Sequence, residues 1–305
     1  MRIVYFGTGE FAVPSLRRLS KAISLVVSQP DRPSGRKLSL QPTPVKVAAR
    51  ELGIPVESPE RSRSPEFVER LRVEEADFLL VASYGQILSE AVLNSARHGG
   101  INLHGSILPK YRGAAPIQRA LEHGETETGV TLMQMDRGMD TGDVIEIRRT
   151  PIDPDETYGE LQARLALVAA DLAEEWAPCL AAGDYARTPQ DVLGATVAPK
   201  IDRAETELVL TDAAVAQYNR FRAFSPNPGV SVATRFGRLK LLKSRISDLA
   251  GTPGTVVALN PDVIVACVGG SLRLLEVQAE GKRPMDGRAW ANGARLRIGD
   301  NLLAN

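Results

Sequence analysis

An α/β chain with a mostly parallel sheet, followed by a smaller all-β domain, is what the sequence predicts, and three observations predict it. Short β-branched runs alternate with helical patterns through the first half, which is how a sheet covered by helices reads. After about residue 227 the texture changes to short β-like pieces separated by Gly, Pro, Asn and Asp, the pattern of a small barrel or sandwich. At 305 residues and 43% apolar content the chain exceeds one average domain and has enough apolar side chains for two cores.

The elements follow in order. Strands are expected at RIVYF (2–6), ISLVVSQ (23–29), ADFLLVASY (76–84) and INLHG (101–105), with helices near 43–52, 64–73 and 115–122. TGVTLMQMD (128–136) and GDVIEIRRT (142–150) read as a strand pair around a Gly-rich loop. From 157 to 182 apolar residues recur at three- and four-residue spacing, so a long helix closes a first domain over residues 1–183. Residues 184–204 lose that periodicity and carry Pro189 and Pro199, which suggests an extended linker. The second domain, 205–305, begins with a helix near 205–223 and continues as GVSVATRF, RLKLLKSRI, GTVVALN, VIVACVGG and SLRLLEVQA, strands of a small OB-like β-barrel.

Charge is balanced overall, at 37 basic and 37 acidic residues, but not along the chain. Residues 204–305 hold 13 Lys and Arg against 9 Asp and Glu, leaving the first part acidic. A basic β-domain beside an acidic α/β domain is either a nucleic-acid platform or ordinary surface scatter. Cys179 and Cys267 lie far apart without metal-ligand spacing, so neither a disulfide framework nor a zinc site is expected. The start of the chain is too short in apolar residues for a signal peptide, and no later run approaches membrane length. A cytoplasmic monomer without a membrane partner is expected.

FGTGEFA follows the first strand, and Gly7, Gly9 and Ala12 satisfy a relaxed Rossmann-like G-x-G-x-x-G/A turn. The acidic ribose ligand such a site needs should end the second strand, but Asp31 there runs into basic loop residues. The turn therefore reads as a tight strand-to-helix connection, and no NAD is expected.

In a strand, side chains at i and i+2 share a face, so Asn102 and His104 point the same way at the carboxyl end of INLHG. Open α/β sheets place chemistry there, although a histidine in an apolar neighbourhood is also a common hydrogen-bonded core residue. His98 and His123 sit in polar helix-end stretches and are weaker candidates. MDRGMDTGD (135–143) adds Asp136, Asp140 and Asp143 in a Gly-rich loop. Their spacing does not fit a calcium loop, so no metal is expected, and turn chemistry alone explains some of them.

Taken together, NLHGSILPKYRGAAPIQ (102–118), the aspartates of DRGMDTGD, FGTGEFA, QPDRPSGRKLSLQPTPVK (29–46), SYGQIL (83–88) and GETETGVTLMQMD (124–136) resemble the folate-dependent formyltransferase family. The resemblance covers nearly the whole chain and thins after residue 210. It implies a Rossmann-like catalytic domain and a formyl transfer from 10-formyltetrahydrofolate, as co-substrate, to the α-amino group of methionyl-initiator-tRNA. Carried over by position, the catalytic trio is Asn102, His104 and Asp140, and the folate contact segment is Ser106, Ile107, Leu108 and Pro109. Ser89, where the family pattern leads one to expect proline, is a small departure. The resemblance also brings tRNA to the basic residues Arg36 and Lys37 of the 29–46 loop and to Lys240, Lys243, Arg245, Lys282 and Arg283 of the second domain. Three alternatives remain: a formyltransferase for an amino sugar nucleotide, a nicotinamide-dependent oxidoreductase resting only on Gly7, Gly9 and Ala12, and a non-catalytic RNA-binding module.

Overall fold

The computed structural model describes residues 1–34 and 39–303. The strands expected in the first half pair in one seven-stranded sheet. Its members are β1 (Ile3–Gly7), β2 (Ile23–Val27), β5 (Val56–Glu57), β6 (Phe78–Ala82), β7 (Gly100–His104), β9 (Glu127–Gln134) and β10 (Val144–Pro151). Outside it, β3 (Arg32–Ser34) pairs antiparallel with β4 (Ser39–Gln41), and β8 (Arg112–Gly113) takes a later partner. The order is β10-β9-β7-β6-β1-β2-β5. β7, β6, β1, β2 and β5 run parallel, whereas β9 runs antiparallel to both β7 and β10.

β1 (IVYFG) and β6 (FLLVA) are apolar on both faces and buried throughout, as strands inside a helix-covered parallel sheet should be. Helices α1 (Val13–Arg18), α2 (Pro44–Glu51), α3 (Pro65–Arg72), α4 (Glu90–Leu93), α5 (Pro116–Glu122) and α6 (Tyr158–Ala182) are interleaved with them along the chain. Local chemistry starts several of these. Thr43 Oγ1 accepts from Lys46 N at 3.1 Å and Ser64 Oγ from Phe67 N at 3.3 Å, each with proline at the next position. Ser89 has the same use, accepting from Val92 N to begin α4. Gly7 is required by packing: a Cβ there would lie 2.9 Å from Ala12 Cβ and 3.2 Å from the Ala82 carbonyl oxygen.

The chain divides into two compact units. The first holds Met1–Pro116, Glu127–Pro151 and Gln162–Pro199; the second holds Ile117–Thr126, Ile152–Leu161 and Lys200–Asn305. Residues 184–199, read from sequence as linker, thus fold with the first unit. Thr188 and Val144 exchange two backbone hydrogen bonds of 2.8 Å, and β11 (Val197–Ala198) pairs parallel with β8. The segment lacks periodicity because it is held by single bridges and side chains, not because it is unattached.

In the second unit, β12 (Glu207–Leu208), β13 (Val230–Thr234), β14 (Gly237–Ser247), β17 (Gly270–Ala279), β16 (Val263–Cys267) and β15 (Val256–Ala258) form a curled sheet in that order, with β18 (Met285–Asp286) beside β17. The expected helix begins later than 205: α7 spans Ala214–Phe224. The residues before it, Leu208 and Leu210, are both buried in strand-like alternation. Register shifts after Leu241 and Lys243 bend β14, the longest strand described. Helix α8 (Gly287–Gly293) brings Trp290 into the core. Near the end of the chain, Val256 N donates to Asp300 O, Leu302 N to Gly254 O and Arg235 N to Leu302 O.

Candidate active site

Asn102 and His104 share a face of β7, and both are buried, at 9% and 6% exposure. Asp140 comes from the loop between β9 and β10. Asn102 Nδ2 donates to Asp140 Oδ1 at 3.3 Å, and His104 Nδ1 lies 3.6 Å from Asp140 Oδ2. The trio inferred from the sequence is therefore one cluster. Asp136 is absent from it, since its Oδ1 accepts from Gly138 N and Thr141 Oγ1 within its own loop.

His104 Nε2 lies 2.8 Å from the carbonyl oxygen of Tyr111. A carbonyl only accepts, so Nε2 carries a hydrogen and Nδ1 is left facing the carboxylate. At 3.6 Å that pair is an ionic approach rather than a short hydrogen bond, and it is an ion pair only when Nδ1 also holds a proton. The imidazole is thus fixed from one side by backbone and offered on the other to Asp140.

Both residues that flank the imidazole are held in left-handed backbone, Tyr111 at φ 62° and Asp140 at φ 53°. Such conformations cost about 1–3 kcal/mol each and persist only where surroundings enforce them. The surroundings here are visible. Tyr111 N donates to Thr196 Oγ1 at 2.8 Å, and Gly113 N donates to Asp140 Oδ2 at 2.8 Å. Gly113 itself has φ +121° and a Cβ there would lie 2.7 Å from the Ala198 carbonyl oxygen, so only glycine allows β11 to approach.

The segment Ser106–Pro109 follows β7 directly. Ser106 is fully buried and its hydroxyl donates to Lys110 O, while Leu108 N donates to Thr131 Oγ1 and that hydroxyl donates to Ser106 O. The turn is shaped by its own bonds and by β9. Just after β6, the Tyr84 carbonyl accepts from Thr8 Oγ1 and Gln29 Nε2. Burial pushes the Tyr84 phenol up to about 12, so it stays neutral near pH 7.

The basic residues divide. Arg36 and Lys37 lie outside the described residues. Lys240 and Lys243 are exposed on β14, and Lys282 and Arg283 are exposed between β17 and β18. Gln278, the cross-strand neighbour of Lys240, donates to Lys282 O, which draws those two positions together. Arg245 differs, its guanidinium being bound by Asp155 Oδ2 at 3.0 Å. His98 lines a cavity of about 730 Å³ at the other end of β7, with Arg97, Gln134, Tyr185 and Arg187. None of the trio lines it. Among the described residues no group of His, Cys, Asp and Glu could hold a metal ion, and no helix is long and apolar enough to cross a membrane.

Residues 1–174 match the formyl transferase family and residues 200–295 its C-terminal domain. This chain belongs to the formyl transferase family. A methionyl-tRNA formyltransferase from Myxococcus xanthus is 43% identical over 98% of the chain and 96% of its own length. One from Symbiobacterium thermophilum is 44% identical over 98% and 94%. Among solved structures, a sugar 3N-formyl transferase crystallised with dTDP and 5-N-formyl-THF superposes with a TM-score of 0.68 at 18% identity, covering 93% of this chain and 99% of that one. The N-formyltransferase from Helicobacter canadensis, solved with folinic acid and dTDP-3-aminofucose, gives 0.67 at 17%, covering 90% and 98%. At that identity the likeness concerns the fold. Family membership leaves the nicotinamide reading of the glycine turn without support, and Asp31, the acidic residue after β2, is engaged by Lys46 Nζ at 2.6 Å.

Sequence reasoning missed Gln190 and Thr196, both in the supposed linker. Gln190 Nε2 donates to Asp140 O at 2.9 Å, and Thr196 holds Tyr111 as described above. No signal in the chain pattern marks them, because their partners lie 50 and 85 positions away.

Proposed function

We propose that this enzyme transfers the formyl group of 10-formyltetrahydrofolate to the α-amino group of methionine carried by initiator tRNA, using Asn102, His104 and Asp140. The observation that carries the reading is identity of 41–44% with methionyl-tRNA formyltransferases along almost the whole of both chains. The buried trio supplies the chemistry. A neutral amine attacks the formyl carbon, a C–N bond forms, and the carbonyl oxygen becomes an oxyanion. As the intermediate collapses, the bond to N10 of the folate breaks, N10 takes a proton, and the attacking nitrogen loses one.

Asn102 has two amide hydrogens, of which one goes to Asp140 Oδ1. The other is a donor for the oxyanion, and a preorganised donor of that kind contributes about 3–4 kcal/mol. His104, with Nε2 fixed on Tyr111, has Nδ1 as the atom at which a proton is gained or lost beside Asp140. The Asp140 carboxylate takes the proton released by the amine, directly or through water. No covalent enzyme intermediate is needed. Ser106, Ile107, Leu108 and Pro109, continuous with the trio's strand, form the edge against which the folate is held. The exposed cations of the second unit, Lys240, Lys243, Lys282 and Arg283, meet tRNA phosphates, and the protein works as a cytoplasmic monomer with a catalytic and a tRNA-binding domain.

The test is direct. The protein is incubated with 10-formyltetrahydrofolate and either methionyl-initiator-tRNA or an amino sugar nucleotide; formyl transfer to the tRNA-borne methionine is expected, and transfer to the sugar alone would overturn the reading.

A further inference from the structure

Of the trio, Asn102 and His104 stand on a buried strand, whereas Asp140 stands on a loop whose residues 136–139 are exposed. Exposed loops open at low cost, so a carboxylate that must stay within a few tenths of an ångström of an imidazole needs something to hold it. Gln190 has the bonds for this. Its Nε2 donates to the backbone oxygens of both Asp140, at 2.9 Å, and Gly142, at 2.7 Å. Its Oε1 accepts from Arg112 Nε at 3.0 Å and Nη2 at 2.7 Å. Both hydrogens and both lone-pair positions of the amide are thereby used. Two carbonyls on either side of Thr141 converge on one nitrogen, which fixes the backbone through the left-handed Asp140.

The bonds also close a ring. Arg112 precedes Gly113, and Gly113 N donates to the Asp140 carboxylate. Gln190 therefore ties the main chain of Asp140 to the same two-residue strand that grips its side chain. Only glutamine meets all four demands: asparagine is one methylene short, glutamate would set a carboxylate against two carbonyls, and methionine fills the space without donors.

We propose that Gln190 is a positioning residue for formyl transfer, holding Asp140 against His104 from a segment outside the strands that carry the trio. The role rests on the function proposed above for Asp140, so the experiment reads the loop as well as the reaction. In Gln190→Ala and the volume-conserving Gln190→Met, amide hydrogen exchange over residues 137–142 should accelerate by at least about tenfold, with the rest of the first unit unchanged. Turnover should fall by at least about tenfold with KM for folate and tRNA within about twofold. In an Asp140→Asn background the same Gln190 substitutions should cost less than about twofold, because the group being positioned is already gone. Unchanged loop exchange would overturn the proposal, as would an undiminished loss in the Asp140→Asn background. If Asp140→Asn keeps full turnover, the catalytic reading of Asp140 fails, while the exchange measurement still decides whether Gln190 holds the loop.

Discussion

Asn102 and His104 are buried and direct their polar atoms to Asp140 and Tyr111, whereas Lys240, Lys243, Lys282 and Arg283 of the second unit stand exposed on a strand and a turn. In the function proposed above, the first arrangement works by fixed geometry over a few ångströms among buried side chains. The second, in the same proposal, works by charge that reaches outward and is screened by salt within about 8 Å at physiological ionic strength. On that proposal one protein separates the part that must be exact in position from the part that needs only the right sign, and the two should answer differently to the same perturbations.

The largest effect expected is on the geometric side. Asn102→Ala, His104→Ala and Asp140→Ala should each lower turnover by at least about a hundredfold with little change in folate binding, as measured by single-turnover formylation and folate titration. Near-normal turnover in one of them would remove that residue from the trio and weaken the contrast. The exposed cations should respond to salt instead. Raising salt from about 50 to 200 mM should increase KM for the tRNA by roughly tens of fold while KM for folate hardly moves. Lys240→Glu with Lys243→Glu should flatten that slope and leave turnover at saturating tRNA intact. Parallel salt responses of the two KM values would erase the distinction.

A smaller effect concerns a charge cluster that belongs to neither class. Arg119 is buried, with its guanidinium 2.6 Å from both Glu122 and Glu205 in the second unit. The hydrogen bond from Arg119 holds the Glu205 carboxyl below its usual range. A carboxylate with a depressed folded-state value stabilises the fold fully above its unfolded value, about 4.3, and that stability is lost as pH falls through the folded value. The thermal midpoint of the second unit should therefore drop on acidification below about pH 4, and Arg119→Met should make that drop shallower. An unaltered acid profile would show that Glu205 does not draw on Arg119.

How much of this was legible in the sequence depends on the kind of regularity that carries it. The two-residue strand period placed Asn102 and His104 on one face without any comparison, and the apolar runs placed the sheet. Asp140 was legible only through resemblance, because three aspartates crowd one loop and nothing in their spacing says which turns inward. The structure separates them by what each bonds: Asp136 serves its own turn, and Asp140 reaches β7. Gln190 and Thr196 were not legible at all. They act through side-chain hydrogen bonds to residues distant in the chain, from a stretch with no repeating pattern, so the segment reads as a linker.

The short run 299–302 has a consequence for how the second unit behaves in company. A curled sheet that does not close through its own strands leaves edges whose free amides and carbonyls invite pairing with another molecule. By bonding to Gly254 and Val256 on one side and to Arg235 on the other, this run occupies the β15 edge, and the opposite edge strand, β12, is only two residues long. Run 299–302 thereby covers one border of the sheet and β12 leaves little of the other to pair with, which works against self-association through the strands.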